Sequence, residues 1–297
     1  MQDRLLFFDI LRIISIFSIV FFHISQYIVF KPFDTEYLFL NTFYIGLGPI
    51  AVFFMIFISG AVIEYSYSKP VDKKTKNSHI RTSTLVSYTD YIKFYLKRFA
   101  RLYPAFWITL GMSLLLQTIV LRGNFDTFMQ AMGMYVYLGK WGGPINVIGW
   151  FIGVIIALYL MYPFLSKLVR KYPTPSIIIS FIGSFGSMYI INVFFQPHLT
   201  QMTLICRWFP TVNIFAFVLG IFIIQRGIYP KTSHKSAILT YIAELSFYIF
   251  LLHNIFWRTI YRKPSGLPAY IMVVTMFAIA LMCIDKTIQY KLNKYLK

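Results

Sequence analysis

Three ionisable side chains sit inside one apolar run. The stretch FFDILRIISIFSIVFFHIS, residues 7–25, carries Asp9, Arg12 and His23, and each is costly to place in hydrocarbon. Along an α-helix the distance from Arg12 to His23 is about 16 Å, the two side chains point within about 20° of one direction, and Asp9 lies about 60° from Arg12. All three therefore share one face, and such a face lines a bundle interior or a water-filled cavity. A histidine there can exchange a proton near neutral pH. The structural alternative is that Asp9 and Arg12 pair and snorkel at the membrane edge while His23 bonds between helices.

Other stretches carry related chemistry. Glu64, late in a second apolar run, is a candidate partner for Arg12. ELSFYIFLLH places Ser246 and His253 two helical turns apart on one face, with His253 at about the depth of His23. Two histidines in one layer can supply a base and an orienting donor, although a buried structural histidine fits the same pattern. KRFARLYPAFW places Arg98 and Arg101 on one helix face. Their donor forks suit a polyphosphate, and plain loop charge is the alternative. KWGGPINVIGW offers Trp141 and Trp150, whose indoles suit either an aromatic belt or stacking on a sugar ring. Cys206 and Cys283 have no metal-ligand spacing around them, so they read as packing residues and no metal site is expected.

What must position these groups is a membrane bundle. With 58% hydrophobic and 13% charged residues over 297, the chain cannot hide its apolar surface in one water-soluble core. The net charge of +18 gathers at the ends of apolar runs, which argues for cytoplasmic loops and against nucleic acid. We expect an all-α polytopic membrane protein with eight transmembrane helices, at 5–30, 43–67, 100–121, 145–166, 176–195, 203–225, 237–260 and 267–285. The run 127–139 is too short to cross and is expected to be re-entrant or interfacial. The basic stretch 68–101 places both termini in the cytoplasm, and the exception to the pattern is the basic group Arg258, Arg262 and Lys263, left on the outer side. The first run contains charge and no small-residue cleavage site, so it is expected to be a retained span. The whole chain, 1–297, is expected to form a single membrane-embedded domain, with a basic cytoplasmic loop at 68–99, a solvated linker at 68–90 within it, and no soluble appended domain.

In their order along the chain, FFDILRIISIFSIVFFH, VFFMIFISGAVI, KRFARLYPAFW, GWFIGVIIALYLMYPFL and LSFYIFLLH resemble the acyltransferase-3 family of integral membrane acyltransferases. The resemblance implies transfer of an acyl group, most often acetyl, from cytoplasmic acyl-CoA to a hydroxyl of a cell-surface glycan such as a polysaccharide or lipopolysaccharide. It implies His23 as the catalytic histidine with Arg12 as its motif partner, and Arg98 and Arg101 as donor-binding residues. Asp9, Glu64, Ser246 and His253 would support them, with Trp141 and Trp150 on the acceptor side. Acyl-CoA would be a co-substrate rather than a bound cofactor, and the partners would be a glycan or lipid-linked glycan and the lipids of the cytoplasmic membrane. The family commonly has about ten spans, which leaves up to ten possible here, and some members carry an extracytoplasmic hydrolase-like domain that is not expected in these 297 residues. A competing class is a transporter or flippase for a lipid-linked glycan, since intramembrane charge also marks substrate pathways.

Overall fold

The computed structural model describes residues 4–28, 38–70, 81–85, 87–117, 124–138, 144–195, 209–260 and 267–295. The helices are α1 (Leu6–Ile28), α2 (Leu38–Tyr67), α3 (Tyr88–Gln117), α4 (Asn124–Ala131), α5 (Gly149–Lys171), α6 (Pro173–Phe195), α7 (Pro210–Gln225), α8 (Ala237–Ile260) and α9 (Leu267–Tyr295). A 3-10 turn spans Tyr135–Leu138. Four very short strands, β1 (Arg4–Leu5), β2 (Ser68–Pro70), β3 (Arg81–Ser83) and β4 (Ser233–His234), form two antiparallel ladders, β1 with β4 and β2 with β3.

Seven of these helices are long and apolar enough to cross a membrane: α1, α2, α3, α5, α6, α8 and α9. The protein is therefore a nearly all-helical, multi-pass membrane protein. The eighth expected span, 203–225, appears only as the shorter α7, because its first residues lie outside those described. The third span differs from expectation in a more useful way. Helix α3 starts at Tyr88, well before residue 100, so Arg98 and Arg101 stand within one continuous helix, as their expected place on one helix face requires. Nor is 68–90 wholly a linker, since Ser68, Lys69 and Pro70 pair with Ser83, Thr82 and Arg81. The short run at 127–139 resolves into α4 and the 3-10 turn, neither of a length that spans.

Two glycines end helices for a conformational reason. Gly133 after α4 and Gly227 after α7 have φ of 70° and 67°. In each case the following residue's N–H reaches five residues back, Met134 to Met129 and Ile228 to Ile223. Only glycine enters this left-handed region without a Cβ penalty, and the bonds satisfy the last carbonyls of each helix.

The chain divides into two compact units. The first contains Met1–Met55, Pro104–Ile119 and Lys231–Lys291, and the second contains Ile56–Tyr103, Val120–Pro230 and Leu292–Lys297. In the second unit α5 runs through the core and packs against α6 and α7, while α6 and α7 pack on each other. Phe151, Ile152, Val154, Ile155, Leu158 and Tyr162 of α5 are buried. A close crossing also joins α2 and α7: a Cβ on Gly60 would strike the Phe217 carbonyl, and one on Gly220 would strike that of Phe57. Small residues permit such backbone approach in membranes, where dispersion contact drives helix association.

In the first unit α1 packs along α8. Phe8, Asp9, Ser15, Ile16 and Ile19 are buried, whereas Phe7, Ile10, Ile14, Phe17 and Phe21 are exposed. The exposed set is apolar and suits lipid. The polar residues gather on the face that lipid does not see.

Candidate active site

Each unit holds candidate residues of its own. In the first, the face of α1 that carries Asp9, Arg12 and His23 turns toward α8. His23 Nδ1 lies 3.2 Å from His253 Nε2, with ring centroids 5.0 Å apart. The same His23 nitrogen is 2.9 Å from the Ile19 carbonyl oxygen. His253 is buried, and its Nδ1 lies 2.6 Å from the Phe250 carbonyl oxygen. From α9, the Tyr270 hydroxyl donates to the His253 carbonyl at 2.6 Å. The histidine layer inferred from depth is thus a direct contact. An imidazole whose one nitrogen is tied in this way can act as a proton acceptor through the other.

Ser246 lies on α8 two turns before His253, but its hydroxyl donates to the Ala243 carbonyl at 2.9 Å within its own helix. That bond accounts for a buried hydroxyl locally.

At the N-terminal end of α1 the side chains form an ionic hub. Asp9 accepts two bonds from Arg4, at 2.8 Å from Nε and 2.7 Å from Nη2, and a contact of 2.9 Å from His234 Nε2. Arg12 stands further off, 3.8 Å from Asp9 Oδ1. Arg4 also reaches Glu244 at 2.9 Å, and Lys286 pairs with the same carboxylate at 2.6 Å. Burial opposes the charge of Arg4, yet Asp9 and Glu244 outweigh it and raise its pKa above the ordinary value. The β1–β4 ladder sets this geometry, because Arg4 pairs with His234 and Leu5 with Ser233. Arg4, His234, Glu244 and Lys286 are all absent from the residues that sequence alone suggested.

In the second unit Glu64 is fully buried, at 0% exposure, and sequence had named Arg12 as its partner. The partner present is Arg170 of α5, 3.1 Å away. Tyr162 and Ser166 donate to its other oxygen at 3.0 and 2.7 Å, and Gln225 of α7 donates to the first at 3.1 Å. Two carboxylate oxygens with four donors from two helices make a complete set, which a buried charge requires.

Arg98 lies over the rings of Tyr67 and Phe94, 5.3 and 6.0 Å from their centroids. It also bonds the Tyr67 hydroxyl at 3.4 Å, and its Nε is buried with no hydrogen-bond partner among the described residues. A guanidinium held between aromatic faces keeps its charge and its planar fork of donors. Arg101, one turn on, is exposed.

Trp150 packs against Val136 together with Phe209, so at least part of its indole serves packing. Trp141, Arg262, Lys263 and Cys206 lie outside the described residues, while Cys283 is a free, exposed thiol. Among the described residues, no group of three His, Cys, Asp or Glu side chains could hold a metal ion.

Compared with known proteins, the chain matches the family described as an acyltransferase domain over residues 5–231. No curated protein and no solved structure matches it.

Proposed function

The chain belongs to the acyltransferase-3 family, and on that premise we propose that it transfers an acyl group, acetyl in the simplest case, from acyl-CoA to a hydroxyl of a cell-surface glycan. The observation that carries this reading is the contact of His23 with His253 on the polar face of α1. Neutral His23 takes the proton of the acceptor hydroxyl as its oxygen attacks the thioester carbon. The tetrahedral intermediate then collapses, the C–S bond breaks, and His23 returns the proton to the departing thiolate, leaving an ester and free CoA. Such base catalysis is worth about 10²–10⁴ in rate.

The donor's phosphates fall to Arg98 and Arg101. Support comes from Arg98, whose guanidinium is braced by the Tyr67 and Phe94 rings and so held as a fixed positive charge. Asp9 and Glu64 act by holding arginines, and Trp150 is assigned to the acceptor side. The basic stretches at the ends of apolar runs support a location in the cytoplasmic membrane with both termini inside. The test is release of CoA from acetyl-CoA by membranes containing the protein, given a glycan acceptor. Acceptor-dependent release is expected. Glycan movement across the membrane with no release would replace the enzyme by a transporter.

A further inference from the structure

We propose that His253 is a positioning residue that fixes His23 in the tautomer whose Nε2 is the base. The inference rests on the acyl-transfer reading of His23 and follows from which atoms can carry hydrogen. A carbonyl oxygen only accepts, so the 2.6 Å contact of His253 Nδ1 with the Phe250 oxygen places a proton on that nitrogen. In a neutral ring the lone pair then lies on His253 Nε2. That nitrogen faces His23 Nδ1 at 3.2 Å, and two lone pairs cannot face each other, so His23 Nδ1 carries its ring's proton. The Ile19 oxygen, 2.9 Å from the same nitrogen, requires the same assignment.

The remaining nitrogen of His23, Nε2, therefore holds the lone pair that receives the hydroxyl proton. When it does so, the new imidazolium already donates through Nδ1 to His253, which spreads its charge over two rings. The Tyr270 bond to the His253 carbonyl secures the turn of α8 that bears the ring. Both rings would thus hold the Nδ1–H form, whereas the neutral side chain of free histidine in water favours Nε2–H.

The test has two arms on full-length protein in lipid nanodiscs. Nitrogen NMR of histidine-labelled wild type, assigned by loss of signals in His23→Gln and His253→Gln, should show both rings protonated at Nδ1. Kinetics should show His253→Leu losing roughly 100-fold in kcat with little change in the acetyl-CoA KM, and His253→Gln, whose side-chain oxygen can accept from His23, recovering about tenfold of that loss. A His23 ring protonated at Nε2, or a folded His253→Leu variant with wild-type kcat, overturns the proposal. The NMR arm needs no substrate. Wild-type protein that releases no CoA thus counts against the acyl-transfer reading alone, and the tautomer is decided by the spectrum.

Discussion

Arg4 grips Asp9 with two nitrogens, while Arg12, three residues along from the same carboxylate, stands 3.8 Å from it. Asp9 is therefore held first by the strand before α1 and by His234, and its geometry suits a brace better than a catalytic group. Arg4→Ala removes the main partner of a buried carboxylate and should destabilise the protein by roughly 2–3 kcal/mol, less than for a wholly buried pair because Arg4 is partly exposed. Thermal unfolding in detergent measures this. An unchanged midpoint would mean that the hub carries no stability.

His23→Ala should remove about 10²–10⁴ of the acceptor-dependent CoA release, while membrane insertion and the unfolding midpoint stay near wild type. Activity close to wild type would end the assignment of His23 as base.

Arg98→Ala and Arg101→Ala should each raise the apparent KM for acyl-CoA by about tenfold or more, as the loss of a charge-assisted bond to phosphate predicts. Tyr67→Leu should shift KM in the same direction by less, because it removes the ring and hydroxyl that brace Arg98. A steady-state donor titration reads all three. If KM is indifferent to both arginines, their charge serves topology.

Glu64→Ala should cost roughly 3–5 kcal/mol, since Tyr162, Ser166, Arg170 and Gln225 would all lose their acceptor inside the second unit. Glu64→Gln keeps the shape and one acceptor, so its loss should be smaller. Equal unfolding midpoints for the two variants would contradict the role of the carboxylate as the centre of that network.

The polar face of α1 was legible because helical geometry alone brings Asp9, Arg12 and His23 together, whatever packs against them. His253 could be placed at the right depth for the same reason, although contact with His23 needed the packing of α1 on α8. The hub around Asp9 was not legible. Its strands are two residues long and show no alternation, so nothing in the pattern pairs Arg4 with His234. Glu64 was assigned by depth to an arginine on another helix, yet burial among α2, α5 and α7 decides the matter in favour of Arg170. The start of helix α3 at Tyr88 is not visible in a span read from hydropathy, because hydropathy marks where a helix meets lipid, and a helix can continue past that point with Lys93, Lys97 and Arg98 along it.

The β1–β4 ladder has a consequence for the order in which the molecule is made. The first helix leaves the ribosome with Asp9 and His23 on one face, and their partners His234 and His253 follow 225 and 230 residues later. Nearly all of the second unit, through Pro230, is synthesised in between. Helix α1 thus waits for most of the second unit to be made before its polar face is completed, and the histidine pair comes into being only when α8 has followed.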